Sequence, residues 1–595
     1  MILEKLFDFA QEQMTLPPGM YSEQKIRWVI DLNLDGTLRG QFVPWGGDTK
    51  ANKRGEPIVV PFIGRTVGVK PKLLADSVEY VLGVGRPDSK SDRVADCHQQ
   101  FKALIQKCSA IAQEPKLIAV QTFLDNWNPS QLSECLPDGF KIEKFDPSEN
   151  MTFRVDGVVL ADARMELRSI EQFWADYTSG ADDAEKEPAP IMTCLITGKP
   201  SEVAQRMPVL IKGLIGGQPS GTALVSANSD PFTSYGLKNS LSSPISRDAA
   251  EKFAKALNHL LADERTRLYV GSTAYVFWTR KKTEFDPIGF LKAPDSQAVK
   301  NLIESPMSGS QVYSNTDDQF YALSLSASMA RSVVRDWLET TILNVRENLK
   351  RWFIHQKMVD GYGAEGRSFS VYALAASAYR DPSKEMQPTV PTALIRHALG
   401  GGRLPEDLLV KVVRRNRAEQ EVTYPRAVLI KLVLISQGKL NMIDMDALNL
   451  NPQLEPQENT AYQCGRLLAE LEAIQRMAQG NTNATLVDRY YGAASSTPAK
   501  AFAPLMRGVQ NHLSKLRKNS PGLYKLCDQH LEEIMSNFPE KKFPSTLAMR
   551  EQAIFSLGYY HQRAANRAAI VQAKADKAEK ATANQLTLAT DSPSP

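Results

Sequence analysis

The chain has 595 residues, of which 43% are hydrophobic and 23% charged, with a formal net charge of +4. Single cores rarely grow beyond ~250–300 residues, so several domains are expected, and the composition is that of a soluble globular protein. A net charge this small identifies no polyanionic partner by itself, and the most apolar run, Ala427–Ser436, is far too short to span a bilayer.

The N-terminal MILEKLFDFAQEQM alternates apolar and charged positions and reads as an amphipathic helix. A signal peptide would need a basic start and an unbroken apolar run. The chain is therefore read as soluble and cytoplasmic, with no membrane partner. Six cysteines, at 97, 108, 135, 194, 464 and 527, contain no CxxC pair. Cys97 and His98 with Cys108 have the wrong spacing for a metal site, so reduced thiols are expected, with no metal and no cofactor.

From the N-terminus, Ile26, Trp28, Ile30 and Leu32 alternate with polar residues at the period of a half-buried strand. Asp35 and Gly36 supply a hairpin turn, and Thr37–Pro44 is the returning strand. Gly64–Lys72 is a basic, glycine-bearing loop before a helical stretch ending near Tyr80, and Ser91–Phe123 has helical spacing. Thr178–Pro188 is polar and acidic, the pattern of a mobile linker. The apolar run Ile191–Thr197 follows, then a Gly/Ser-rich segment at 211–240. Ser246 is the expected N-cap of a helix reaching Leu261, with Phe253, Ala256, Leu257 and Leu260 on one face. LYVGSTAYVFW then reads as a hairpin turning at Gly271 and Ser272.

After residue 318 the pattern reads as helical, over 325–358, 366–380, 389–399, 405–417, 425–436 and 459–478, with a further bundle from Asn481 to about 580. The last residues, ATANQLTLATDSPSP, have no core-forming pattern and are expected to be disordered. The fold class predicted is an α+β N-terminal region followed by a mostly α-helical C-terminal half ending in a helical bundle. The expected domains are 1–317, 318–476 and a basic bundle at 477–580, with a tail at 581–595. Residues 477–595 carry 15 Lys/Arg against 9 Asp/Glu, so the charge excess is concentrated there. That suits polyanion contact and also a plain solvated surface.

Catalytic motifs are sparse. Gly216 and Gly221 have P-loop separation, but Thr222 and Ala223 stand where the phosphate-binding Lys and the metal-binding hydroxyl are required. The seven histidines stand apart, Asp528 and His530 point to different faces of a helix, and His561 in GYYHQR reads as a packed structural residue. No GxSxG or HExxH occurs, and no catalytic residue is assigned.

Nucleic-acid binding has a fuller inventory. Lys212, Gln218, Ser220, Asn228, Phe232, Ser234, Tyr235, Lys238 and Asn239 combine cations, small polar donors and stacking rings. Arg65, Lys70 and Lys72 add cations in the first basic loop. Arg331 and Arg335 fall four apart on an expected helix and share a face. Lys411, Arg414 and Arg415 form another stripe, and Lys515, Arg517 and Lys518 a third. Such stripes are solvated faces or phosphate tracks.

Several segments together resemble one family in order along the chain. They are the 26–44 hairpin, GRTVGVKPKLLADSVEYVLG (64–83), CLITGKP (194–200) and IKGLIGGQPSGTALVSANSDPFTSYG (211–236). ARSVVRDWLE (330–339), AYQCGRLLAELEAIQ (461–475), DRYYGAASSTPA (488–499) and FPSTLAMREQAIFSLGYYHQR (543–563) continue the series. The chain resembles the large subunit of the type I-C CRISPR-associated Cascade complex over nearly its whole length. Ala227 departs from the Phe that family members tend to carry, so aromatic stacking is not carried over at this position.

The resemblance implies a non-catalytic subunit of an RNA-guided surveillance complex, with crRNA and target double-stranded DNA as nucleic-acid partners. Guide pairing would read sequence, while protein checks the PAM duplex and holds the displaced non-target strand, the division of labour described for another effector. Protein partners implied are the Cascade backbone and 5′-handle-binding subunits, a helicase–nuclease, and a small subunit translated from an internal start at Met477. Under this reading Arg65, Lys70 and Lys72 neutralise phosphates, Gln218, Ser220, Asn228 and Asn239 reach base edges or sugars, and Lys515, Arg517 and Lys518 follow the non-target strand. The alternatives are a helical protein–protein adaptor and a cryptic metal-dependent nuclease.

Overall fold

A computed structural model describes residues 1–14, 20–46, 55–63, 68–179, 190–227, 230–233, 235–283, 285–304, 318–438, 450, 454–480, 483–538 and 542–590. They form two compact units, one of residues 1–213, 217–259 and 328–332, the other of 214–216, 260–327 and 333–595. The mixed N-terminal region and mostly helical C-terminal half are both present, as the hydrophobic periodicities predict.

The first unit is organised by β1 (Tyr21–Leu32). It pairs antiparallel with β2 (Val43–Pro44) and β3 (Glu56–Pro61), and parallel with β5 (Asn150–Val155). β4 (Ala75–Ser77) and β6 (Val158–Val159) complete the sheet on β5. The alternation of Ile26, Trp28, Ile30 and Leu32 does predict the strand, and all four are buried. Val29 is buried too, because β1 lies inside the sheet and has little free surface on either face. Asp31 and Arg154, register partners on β1 and β5, form a 2.8 Å ion pair. The expected turn closes at Gly36, whose φ of +84° favours glycine, but the return is paired only at Leu38 and over β2.

The helical spacing at 91–123 gives two helices, Ser91–Ala112 and Pro115–Asn126, separated at Gln113 in the left-handed region. A short hairpin of β7 (Ile191–Thr193) and β8 (Pro200–Glu202) follows. The Arg247–Ala262 helix begins as expected, with the Ser246 hydroxyl accepting from the Ala249 N–H at 3.3 Å. The linker expected at Thr178–Pro188 lies largely outside the described residues.

The second unit contains a sheet in the order β12-β11-β10-β9. β9 (Arg267–Val270) and β10 (Thr273–Thr279) form the predicted hairpin around Gly271. β11 (Gln319–Ser328) and β12 (Arg331–Thr341) correct the sequence reading, which made 325–358 one helix. QFYALSLSAS and RSVVRDWLETT are rich in β-branched and aromatic residues; β11 lies between β10 and β12, and β12 pairs with β11 on its inner side. Helix begins only at Ile342–Gln356, capped by the Thr341 hydroxyl accepting from the Asn344 N–H.

Beyond it the expected helices form: Val371–Ser377, Thr389–Gly400, Asp407–Glu419, Tyr424–Ser436, Pro456–Gln479, Leu486–Ala494, Pro498–Asn519, Pro521–Ser536 and Met549–Thr590. The Pro456–Gln479 helix is central, and its main neighbour is the long Met549–Thr590 helix. Gly465 and Gly558 allow their close crossing: a Cβ at Gly465 would lie 2.0 Å from the Phe555 carbonyl oxygen, and one at Gly558 2.1 Å from that of Tyr462. The boundary expected at 476/477 falls inside the central helix, and one apolar core runs from Leu268 to Tyr560. Helix also continues to Thr590, ten residues into the segment expected to be disordered. Among the described residues no helix is long and apolar enough to cross a membrane.

Candidate nucleic-acid interface

The Gly/Ser-rich segment is pinned at its base. Ile211 and Thr222 exchange two backbone hydrogen bonds of 2.8 Å, and the Ser240 N–H donates to the Gln205 carbonyl. Gly221, with φ +108°, is required here, since its Cβ would meet the Leu210 side chain at 2.8 Å and the Ile211 carbonyl at 3.0 Å. Asn258 fastens the first leg by accepting from the Lys212 N–H and donating to the Leu210 carbonyl.

The tip of the β11–β12 hairpin completes this surface. The Thr222 and Ser332 hydroxyls lie 2.7 Å apart, and Ala223 bonds to both Ala330 and Ser332. The Gln218 N–H donates to the Met329 carbonyl at 3.3 Å. The Arg331 guanidinium stands 4.2 Å from the Phe232 ring centroid, a cation–π distance. Tyr235 is 99% exposed and Met329 80%, and both have positive φ. Large side chains held in the left-handed region and turned to solvent give up local backbone energy without recovering it by packing. Gln218, Ser220 and Lys238 are also exposed, while Asn239 is half-buried with φ +54°.

Thr222 is buried and bonded, and residues 222–227 are not helical, so the near-P-loop spacing is a turn rather than a phosphate cradle. Arg331 lies on β12 rather than on the expected helix, and so does Arg335, whose Nε donates to the Ser326 hydroxyl at 2.7 Å. Sequence reasoning missed Met329 and the pairing of Arg331 with Phe232, because both depend on the hairpin. The two-residue alternation of 319–328 was the available signal.

The other candidates are dispersed. Lys70 is exposed, and Lys72 lies with its ammonium 4.9 Å from the Phe62 ring centroid. Arg65, Asn228 and Ser234 lie outside the described residues. On the Asp407–Glu419 helix Arg414 is exposed, but Lys411 pairs with Asp407 and Arg415 with Glu419, which also binds Arg426. That stripe is largely an internal ion-pair network. Lys515, Arg517 and Lys518 are exposed on the Pro498–Asn519 helix, which has no acidic residue. Lys500 and Arg507 extend the basic face at helical spacing and were overlooked.

A contrasting polar cluster joins the central and long helices. Glu470, fully buried, accepts from Gln562 and Asn566 and contacts His530 at 3.1 Å. The hydrogen bond to Glu470 holds the His530 pKa above its usual value. Arg466 donates to Gln562, Gln463 and Glu533. His561 meets the Tyr462 hydroxyl at 2.7 Å, and burial pushes its pKa down to about 3, so it is the packed residue its aromatic setting predicts.

The family comparison places the chain among the CRISPR-associated proteins. The model described as CRISPR-associated protein (Cas_Csd1) matches residues 4–567. The chain belongs to that Csd1 family and is a Cascade component, a protein that works with CRISPR RNA and other Cascade subunits. No curated protein matches it.

Proposed function

We propose that the chain is the non-catalytic large subunit of a type I-C Cascade, and that residues 217–239 with the hairpin tip 328–332 engage the PAM duplex and adjacent unpaired nucleotides. The observation carrying this reading is the Arg331–Phe232 stack beside two exposed side chains, Tyr235 and Met329. Arg331 supplies charge to the phosphates, Gln218 and Ser220 supply polar groups, and Tyr235 a stacking ring. Met329 has the character of the apolar wedges that other proteins insert between base steps. Arg65, Lys70 and Lys72 add phosphate contacts, and the Pro498–Asn519 helix follows the displaced strand through Lys500, Arg507, Lys515 and Lys518. Cleavage belongs to a recruited helicase–nuclease.

The bundle after residue 477 acts, in this reading, within the full chain. A product beginning at Met477 would lack Tyr462, Arg466, Glu470 and Glu472, the partners of His561, Gln562 and Tyr559. Without residues 456–476 the long helix would also expose to water the apolar face it packs on the central helix, at about 25 cal/mol per Å². Intact-mass measurement of the assembled complex tests this: a species matching 477–595 would contradict it.

Mobility-shift titrations with matched and PAM-mutated duplexes test the interface. Arg331→Ala is expected to weaken binding by about tenfold and to lower the salt slope by about one. Unchanged affinity and slope would remove the hairpin tip from the interface.

A further inference from the structure

We infer that the outer edge of β12, from Val333 to Thr341, receives an extended strand of another protein subunit, which joins the sheet by main-chain pairing. The inference rests on the chain being a Cascade component and not on the PAM reading.

β12 is the outermost strand of its sheet and eleven residues long, whereas the opposite edge, β9, has four. None of residues 333–341 is buried, and Val334 is 42% exposed. Natural edges of this length are blunted with Lys, Pro or a covering element. RSVVRDWLETT contains neither Lys nor Pro, and of its charged residues beyond the tip Arg335 bonds to Ser326 and Asp336 pairs with Arg396, which leaves Glu339. Trp337 stacks on Tyr321 at 5.7 Å, and Tyr321 lies 5.4 Å from Trp278, so an aromatic ladder across three strands supports the edge.

The start of the same edge already accepts an extended chain segment through isolated bridges. The Ala223 N–H donates to the Ala330 carbonyl at 2.8 Å, and the Ser332 N–H donates to the Ala223 carbonyl at 2.9 Å. Both bridges there, Ala223 with Arg331 and Gly217 with Met329, are parallel. Beyond Ser332 no backbone partner occupies the outer edge among the described residues.

The occupant follows from the chemistry. An open edge presents N–H donors and C=O acceptors alternately at the strand repeat; a phosphate backbone offers acceptors alone, and only an extended polypeptide main chain repeats both at that spacing. A Cascade component works among other protein subunits, which supply such a strand, and pairing with a second copy is the outcome that sedimentation of the free chain reads. The exposed Arg335 and Glu339 flank Trp337, so the incoming strand carries an apolar residue between an acidic and a basic one.

Hydrogen exchange on the full chain, free and co-assembled with CRISPR RNA and the other Cascade subunits, provides the test. Amides within 333–341 are expected to slow by about tenfold or more on assembly. Equal rates would overturn the inference. So would protection by CRISPR RNA alone, or protection in a free chain that sediments as a dimer. Val334→Lys, at an exposed site, is expected to weaken co-assembly by about tenfold and Val334→Thr to retain it. Wild-type assembly of Val334→Lys would count equally against it. PAM-duplex affinity should be unchanged in both variants, so failure of the interface reading and failure of this one are separable.

Discussion

Along the central helix Arg466 and Glu470 are buried, and each is held by several side chains of neighbouring helices. Along the 217–239 loop and hairpin tip, Tyr235 and Met329 are almost wholly exposed, in backbone conformations that cost energy. Both regions hold polar or aromatic side chains at high density. One spends them on partners within the chain, the other leaves them to solvent. A buried charge must be matched internally or it destabilises the fold, whereas in the proposed interface an exposed ring such as Tyr235 takes its partner from outside the chain.

The comparison is broken most directly at Arg466. Arg466→Ala should cost about 3–5 kcal/mol in urea unfolding, because Gln562 and Glu533 lose their shared donor inside the helical unit. A cost as small as that of a surface substitution would mean the network does not hold the helices together.

Acid sharpens the same contrast. Buried His561 stays neutral in the folded chain, at about 3, while the unfolded chain takes up that proton near 6.5. The folded state therefore loses about 2 kcal/mol from this residue as the pH falls from 8 to 5. His561→Gln should flatten that part of the pH–stability curve. His530 works oppositely: its raised pKa contributes stability that is present at low pH and lost as the pH rises through its folded value. His530→Gln should steepen the acid loss. Chemical denaturation at each pH reads both effects.

At the loop the effects move from stability to binding. Tyr235→Ala should weaken binding of unpaired nucleic acid by about 1–2 kcal/mol in anisotropy titrations while leaving the unfolding midpoint in place. The smallest effect is expected at Arg415, already paired with Glu419: Arg415→Ala should leave nucleic-acid affinity within about twofold.

Local patterns were legible wherever one element determined them. The β1 alternation, the Ser246 cap, the 270–273 hairpin and the C-terminal helices all follow from periodicity and turn chemistry. Residues 319–341 were misread because charged residues spaced four apart fit a helix as well as a strand, and the choice belonged to β10, already waiting as a pairing partner. The stripe at Lys411, Arg414 and Arg415 failed similarly, since helical spacing places side chains on a face without revealing the acids beside them.

The sequence by itself determined the α+β-then-helical organisation, the basic excess after residue 477 and the resemblance that the family match bears out at the level of a Cascade component. Only the tertiary structure decided that the bundle shares its core with the helices before it, that Arg331 sits over Phe232, and that, among the described residues, β12 ends a sheet with its edge open. Periodicity is written in neighbouring residues, whereas pairing of positions about a hundred apart depends on chain closure and backbone hydrogen bonding that no local pattern encodes.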